Sequence, residues 1–268
     1  IVPVIVAIMF SFNAGRSVTA WQGFDLTRWY LDDPRNSVLH NDGLQRALWQ
    51  SLKLAGLTML IATPLGVMLA LGLARWRGRL ASASNFIMLF PLVTPELVMG
   101  VSLFLVFVNL FTFIPLGTTA QVMGHVTFSL SYVVVIVRGR LFSIGRQYEE
   151  AAADLGATPW ETLYLVMLPL LSPAIFASLM MVFAISIDDF VISAWLSCGA
   201  DCDTVPIRIY SATRAAPFPS INALAAIMVF FTLSAIGIAF LVQRWMTRGE
   251  RKASRPGGMT QAMGAFDL

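Results

Sequence analysis

Long uncharged apolar stretches dominate this chain and predict membrane-spanning helices. A helix needs about 20 mostly apolar residues to cross a bilayer. Asp, Glu, Lys and Arg are absent from residues 54–74, 97–137, 162–187 and 215–243. The second stretch holds two spans if the first of them begins near Ala83 and the Pro115-Leu116-Gly117 turn signal separates them. The pattern therefore predicts five complete spanning helices.

The N-terminal stretch Ile1–Phe12 is apolar but too short to cross a bilayer. We interpret it as the outer end of a first helix whose cytoplasmic start is missing. The hydrophobic core of a signal peptide is the alternative, although no basic leader precedes it. The expected fold is all-α, a polytopic membrane protein with six transmembrane helices. One transmembrane domain is expected over residues 1–245, followed by a disordered cytoplasmic tail over residues 246–268.

Lys and Arg predict the orientation of the helices, because they accumulate in short cytoplasmic loops. With an internal N-terminus, more of them lie in cytoplasmic segments than in outer loops, so both termini are expected in the cytoplasm. The basic residues placed inside are Arg75, Arg77, Arg79, Arg138, Arg140, Arg146, Arg244, Arg248, Arg251, Lys252 and Arg255. Those placed outside are Arg16, Arg28, Arg35, Arg46, Lys53, Arg208 and Arg214.

The composition excludes several classes of protein. The chain is 57% hydrophobic and 12% charged, with a mean hydropathy of +0.74, whereas soluble domains average about 25% charged residues. A disordered chain would need low hydrophobicity and high net charge. The net charge of +3 and the absence of a dense basic tract argue against nucleic-acid binding.

Cys198 and Cys202 are the only cysteines and lie in the second predicted outer loop, residues 194–219. A disulfide is plausible on this oxidising side if residues 199–201 form a turn. Two free thiols are the alternative, and no nearby His supports a metal site.

The cytoplasmic loop over residues 138–168 is longer than a simple connection requires. Residues 149–155 are rich in helix formers and place acids in the first turn of the helix, while Gly156 marks its end. Thr158, Pro159 and Glu161 then predict a capping box that starts a second helix. This loop therefore presents a short helix, a sharp break and a new helix at the cytoplasmic face.

The same loop resembles the EAA loop of permease subunits of binding-protein-dependent ATP-binding-cassette (ABC) importers. The match consists of Glu150-Ala151-Ala152, then Gly156 after three residues, Val166 after nine more, and Leu168-Pro169 after one more. Val166 stands in place of the usual Ile. The resemblance implies a type I importer permease fold, in which this loop forms a coupling helix that docks on an ATPase subunit. Glu150 would face basic groups of the ATPase, Ala151 and Ala152 would allow close approach, and Gly156 would permit the turn.

No phosphate-binding Gly-x-x-x-x-Gly-Lys-Ser/Thr loop occurs in the sequence. The sequence also lacks His-Glu-x-x-His, Cys-x-x-Cys and Gly-x-Ser-x-Gly motifs. The chain is therefore expected to bind no cofactor and not to be an enzyme, with ATP and Mg²⁺ held by a separate partner ATPase.

Three acids fall in or at the ends of predicted spans, namely Glu96, Asp188 and Asp189, and no Lys or Arg lies in those spans. A charge at mid-span is unfavourable by about 2.5–3.5 kcal/mol on insertion scales. Unneutralised acids would suit an organic cation, whereas an oxyanion would call for Arg, Lys or helix N-termini. Alternatively, Asp188 and Asp189 cap backbone groups or pair with Arg residues of a second permease. The helical face shared with Ser186 slightly favours Asp189 as the residue that lines the pore.

Aromatic residues next to these acids could contribute cation–π contacts, with Phe190 and Trp195 as candidates. A Trp at the end of a span is alternatively an interfacial anchor. His125 is interpreted as a hydrogen-bonded polar residue at the membrane edge, with gating as the alternative.

Further segments resemble the second permease subunit of spermidine/putrescine importers, and the resemblance covers about residues 45–245. The matching segments are residues 91–96, 125–128, 149–159, 168–169, 186–192 and 222–225, although an Asp is commoner in the family where Glu96 stands. The resemblance implies a bacterial cell membrane complex of two permeases, two ATPases and an extracytoplasmic binding protein. Relatives that carry ferric iron, thiamine or molybdate share the scaffold and remain alternatives. A secondary transporter is the rival class, but the inverted repeats and broken spans that it requires are not seen in the sequence.

Overall fold

The computed structural model describes residues 2–75, 79–214 and 219–253, which are mostly helical. The helices are α1 (Val2–Phe10), α2 (Asp42–Arg75), α3 (Arg79–Val93), α4 (Glu96–Asn109), α5 (Thr118–Ile144), α6 (Gln147–Asp154), α7 (Pro159–Glu161), α8 (Leu168–Asp188), α9 (Val191–Trp195), α10 (Val205–Arg214) and α11 (Pro219–Ala253). Short π-helical segments occupy Arg28–Asp32 and Thr162–Met167, and the second joins α7 to α8.

Four of the described helices are long and apolar enough to cross a membrane. They cover Asp42–Ala74, Thr118–Ile144, Pro159–Asp188 and Pro219–Val242. Each corresponds to a predicted span, although α2 begins well before residue 54. Helix α1 has nine residues and is too short to span alone. The described part of the chain thus holds four candidate spans, or up to five if the bent pair α3–α4 counts as one.

The span predicted to begin near Ala83 is not one continuous helix in the structure. Phe86–Val93 and Glu96–Asn109 meet at an angle of 111°. Pro95 has no backbone N–H and disfavours a helical conformation at Thr94, so the helix ends and restarts at this dipeptide. The bend makes Glu96 the first residue of α4 instead of a residue inside a continuous span.

Helices α2, α5 and α8 pack against one another at the centre of the described domain. Gly66 allows the close approach of α2 and α5, because a Cβ at this position would lie 2.5 Å from the Cβ of Val133. The buried residues of this central cluster are Ala62, Val67, Ala70, Leu73, Val133, Val134, Val137, Ile144, Leu171 and Val182. These three helices form the scaffold on which the shorter segments are held.

Helix α11 continues through Ala253, beyond the predicted start of the tail at residue 246. The remainder of that predicted tail, residues 254–268, lies outside the described residues, as do Arg77, Arg255 and the predicted start of the last span at residue 215.

Candidate functional site

The end of α8 is the focus of the predicted cation site. The helix stops at Asp188, and Asp189 adopts an extended conformation with φ −65° and ψ 123° before α9 begins. The carboxylate of Asp189 accepts hydrogen bonds from the backbone N–H groups of Ser193 at 2.8 Å and Ile192 at 3.4 Å. These donors would otherwise be unsatisfied at a helix start, where the dipole also favours a negative charge. Asp189 therefore stabilises the break between α8 and α9.

His125 on α5 holds Asp189 from the other side. Its Nε2 lies 3.1 Å from Asp189 Oδ2 and 2.9 Å from Ser193 Oγ, while its Nδ1 lies 2.8 Å from Ser186 Oγ. His125 and Asp189 are 2% and 7% exposed. The predicted hydrogen bonding of His125 is confirmed, but the expectation that Asp189 has no basic partner is wrong, because an imidazole faces it across the helix interface.

A buried hydrogen-bond network continues from His125 to two further helices. The side-chain amide of Gln121 donates to the backbone carbonyls of Ser193 and Cys202, at 3.0 Å in each case. Gln121 Oε1 accepts from Gln50 Nε2 at 2.8 Å, which ties α5 to α2. These buried amides were not singled out from the sequence; the available signal was their position at the ends of apolar spans.

Glu96 reaches the same place from α4. The bend at Pro95 places its half-buried carboxyl group at the start of α4, close enough to Asp188 and Asp189 to interact with both. The predicted acids Glu96, Asp188 and Asp189 thus converge, since Glu96 interacts with both aspartates.

Asp188 is the accessible member of the aspartate pair. Its side chain is exposed and borders a cavity of about 460 Å³, here called the Asp188 cavity. Lining residues include Phe190, Ile209, Tyr210 and Met228. Within the described part of the chain, neither Asp188 nor Glu96 forms an ion pair with Lys or Arg. Asp189, which the sequence slightly favoured as the residue that lines the pore, is instead enclosed by α9 and His125 in this structure; which of the two aspartates lines the pore stays a prediction.

The two candidate aromatics lie in different places. Phe190 borders the Asp188 cavity, and its ring centroid is 4.7 Å from that of Tyr210. Trp195 packs on α4, where its ring is 5.7 Å from Phe104 and where a Cβ on Gly100 would approach it to 3.0 Å. The geometry therefore favours Phe190 as a wall of the cavity and Trp195 as an anchor of α9 on α4.

Cys198 and Cys202 form a disulfide in the structure, with their Cα atoms 5.4 Å apart. The disulfide packs on Gly117, whose φ of +129° favours glycine and where a Cβ would lie 3.1 Å from Cys202 Sγ. The Gly117 N–H donates to the Leu196 carbonyl at 2.8 Å. The loop closed by this disulfide, residues 198–202, is here called the disulfide hairpin. It fixes the end of α9 against the start of α5. Among the described residues, no group of three or more His, Cys, Asp or Glu could hold a metal ion.

The predicted cytoplasmic loop folds as the sequence indicates. Helix α6 ends in two backbone hydrogen bonds, from Ala157 to the Ala152 carbonyl at 3.0 Å and from Gly156 to the Ala153 carbonyl at 2.9 Å. Gly156 has φ +80°, which is the conformation of a glycine-terminated helix. The capping box of Thr158 and Glu161 is confirmed, with the two reciprocal backbone contacts at 3.3 and 2.7 Å.

The predicted coupling residues have different surroundings. Glu150 and Ala151 are exposed, while Ala152 is buried against the rest of the chain. Leu168 and Pro169 open α8, with Leu168 half-buried and Pro169 exposed. Five large apolar or aromatic residues of the same loop are also exposed, namely Tyr148, Leu155, Trp160, Tyr164 and Leu165. Exposed apolar patches mark interaction sites, and these five residues were not identified from the sequence.

Comparisons with known proteins place the chain among transport permeases. Residues 62–252 match the family described as "Binding-protein-dependent transport system inner membrane component". The chain is 35% identical over 260 residues to the putrescine transport system permease protein PotI of Escherichia coli (strain K12), covering 94% of this chain and 88% of PotI. It is 34% identical over 248 residues to the spermidine/putrescine transport system permease protein PotC of the same organism, covering 92% and 90%.

A solved structure is also similar. A chain of a bacterial alginate ABC transporter, in complex with an alginate pentasaccharide-bound periplasmic protein, superimposes with a TM-score of 0.68. The sequence identity is 18%, and the match covers 92% of this chain and 88% of that chain. This likeness concerns the fold.

Proposed function

The chain belongs to the family of inner membrane components of binding-protein-dependent transport systems, and we propose that it is a permease subunit through which spermidine or putrescine enters the cytoplasm. The observation that carries the choice of cargo is the convergence of Glu96 with Asp188 and Asp189. Neither Glu96 nor Asp188 has a Lys or Arg ion-pair partner among the described residues. The polyamine names of PotI and PotC support the same choice.

The surroundings of the acids argue against an anionic cargo. An anion site would use Arg, Lys or a free helix N-terminus. The N-terminus of α9 is already occupied by the carboxylate of Asp189. An oxyanion arriving there would meet negative groups, whereas an ammonium group would gain counter-charges as it leaves water. The site therefore fits molybdate or another oxyanion less well than it fits an organic cation.

The proposed assembly contains a second permease, two ATPase subunits and an extracytoplasmic binding protein in the bacterial inner membrane. Six spans with both termini in the cytoplasm would place the disulfide hairpin and the Asp188 cavity on the outer side. The loop at residues 138–168 would then face the ATPase. This arrangement puts cation entry and force transmission at opposite ends of α5 and α8.

The proposed coupling surface combines the EAA residues with the five exposed apolar residues of the loop. Exposed Glu150 is available to basic groups of the ATPase, and Ala151 allows a partner to approach closely. Leu155 and Trp160, which are 90% and 69% exposed, would bury apolar area on docking. ATP and Mg²⁺ would bind to the ATPase, which would supply the hydrolysis.

A secondary transporter remains the rival mechanism, and one argument against it no longer applies. Broken spans are a feature of that class, and this chain has breaks at α3–α4 and α8–α9. The family match, together with the EAA loop, argues for the ATP-driven mechanism instead.

Competition for uptake tests the proposed cargo. Uptake of radiolabelled putrescine is measured in cells that express the complete transporter as their only polyamine uptake system. The competitors, each added in excess, are spermidine, unlabelled putrescine, thiamine and molybdate. We expect the two polyamines to suppress uptake and thiamine and molybdate to leave it unchanged. Suppression by molybdate alone would refute the interpretation that Glu96, Asp188 and Asp189 serve a cationic cargo.

A further inference from the structure

We propose that the Asp188 cavity binds a single ammonium group of the cargo, with the Asp188 carboxylate as counter-ion and the Tyr210 ring as a cation–π wall. This inference rests on the proposed function, because it gives a specific location to cation recognition. It assigns a role in cation binding to Tyr210 and to Arg214.

The cavity has the composition of a small-cation site. Its volume of about 460 Å³ lies within the roughly 300–1,000 Å³ range of small-molecule sites. Asp188 is the one charged residue among its described lining residues, and Thr213 adds a hydroxyl group. Most of the remaining wall is apolar, with Val205, Ile209 and Met228 among its residues. A carboxylate beside apolar walls matches an ammonium group carried on a methylene chain.

An aromatic pair stands beside the carboxylate. Phe190 follows the aspartates directly in the chain, and Tyr210 comes from α10, so two separate elements bring their rings to a centroid distance of 4.7 Å. Both residues line the Asp188 cavity. The face of an aromatic ring attracts cations, and Tyr is among the rings that do so well.

The ring of Tyr210 already holds a cation from the same chain. The guanidinium carbon of Arg214 lies 4.7 Å from the Tyr210 ring centroid, within the roughly 6 Å limit of such contacts. Arg214 is exposed and lies one helical turn after Tyr210 at the end of α10. Its guanidinium therefore competes with a cargo ammonium group for the aromatic wall, and binding of cargo displaces it.

Equilibrium binding to the assembled transporter tests this site. Complexes of both permeases and both ATPases in nanodiscs, without binding protein, are titrated with radiolabelled putrescine. Replacing the ring with an aliphatic side chain in Tyr210→Leu should raise Kd by about 3-fold to 30-fold, the range of a cation–π contact. Tyr210→Phe keeps the ring and should stay within about 2-fold of the unchanged complex. Phe113→Leu, an exposed aromatic on the loop between α4 and α5, controls for the loss of a ring elsewhere.

Arg214 offers an independent measurement on an exposed side chain, which stays available if Tyr210→Leu does not assemble. Arg214→Gln should lower the Kd for putrescine by about 3-fold or more, because the ring is freed. Arg46→Gln removes the same charge from the surface pair with Asp201 and should have a smaller effect. Neutral butane-1,4-diol in excess should not displace putrescine from any of these complexes.

Equal Kd values for Tyr210→Leu and Tyr210→Phe, or for Arg214→Gln and Arg46→Gln, would overturn the ammonium site. Displacement of putrescine by the diol would also overturn it. These outcomes are distinguishable from failure of the proposed function. If the proposed function is wrong, the transporter without substitutions carries no polyamine in the uptake assay, regardless of the effect of Tyr210→Leu.

Discussion

His125→Leu is expected to lower the free energy of unfolding of the assembled transporter by about 1–3 kcal/mol, the effect of removing a hydrogen-bond partner from a buried charged group. The substitution removes the imidazole 3.1 Å from Asp189 Oδ2 and leaves that carboxylate enclosed without its counterpart. It also removes the hydrogen bonds to Ser186 and Ser193. Unfolding of the purified complex, followed by helical signal during titration of detergent micelles with a denaturing detergent, measures the change.

A second substitution at Asp189 separates charge from packing. His125→Leu combined with Asp189→Asn should recover most of the lost stability, because the enclosed group is then neutral. Ser129→Ala provides a matched control one turn along α5. Ser129 is fully buried, and its hydroxyl has no hydrogen-bond partner among the described residues, so its loss should change stability little. A fully stable His125→Leu complex would show that the network does not hold α9 in place.

Gly156→Val is expected to reduce substrate-stimulated ATP hydrolysis by about 10-fold or more without preventing membrane insertion. A Cβ at Gly156 would meet nothing within 4 Å, so crowding is not the cause. The cause is the backbone, because φ +80° is unfavourable for an L-residue by roughly 1–2 kcal/mol and is worse for a β-branched one. Valine should therefore undo the turn between α6 and α7 and displace the proposed coupling surface. ATPase assays in nanodiscs, with and without loaded binding protein, measure the ratio.

Gly156→Asn is the matched control for this turn. Asn adopts the left-handed conformation more readily than other residues with a side chain and replaces Gly at helix ends. Gly156→Asn should therefore retain most of the stimulation of ATP hydrolysis, even though it also adds a side chain at this position. Normal substrate stimulation of ATP hydrolysis in Gly156→Val would contradict the proposal that this turn takes part in coupling.

The features that the sequence predicted well are local. The capping box of Thr158 and Glu161 needs residues three apart, and the end of α6 needs a glycine directly after a run of helix formers. Span positions also followed from composition, because roughly 20 apolar residues in a row have few alternatives. The outcome at each of these positions depends on neighbours in the chain, which the sequence displays directly.

The sequence contained a signal for the break at Pro95, but the prediction of a span there relied on hydropathy alone. A window of apolar residues measures whether a segment prefers lipid, and it does not measure whether the backbone is continuous. Thr94-Pro95 carried the local signal for a break, and the structure turns the chain by 111° there. Glu96 owes its contact with Asp189 to that turn.

The enclosure of Asp189 was missed for a related reason. The preference for Asp189 assumed that both residues continue a regular helix, in which neighbours point about 100° apart. Helix α8 instead ends at Asp188, and Asp189 is extended. Its partner His125 lies on another helix, so the pairing depends on how α5 packs against α8 and α9, which spacing along one helix does not reveal.

The position of Trp195 depended on a glycine in another helix. Gly100 leaves the space on α4 that the indole fills. From the sequence alone, Trp195 and Phe190 were equivalent aromatic neighbours of the aspartates. In the structure, Phe190 lines the Asp188 cavity, whereas Trp195 packs on α4.

The most direct test of the account is the energy source and cargo of the purified transporter. Complexes containing this chain, its partner permease and the ATPases are reconstituted in liposomes with ATP enclosed, and loaded binding protein and radiolabelled putrescine are added outside. We predict that putrescine accumulates above its external concentration only when ATP and the binding protein are both present. Accumulation driven by an ion gradient without ATP, or ATP-dependent uptake of molybdate but not of putrescine, would contradict the account.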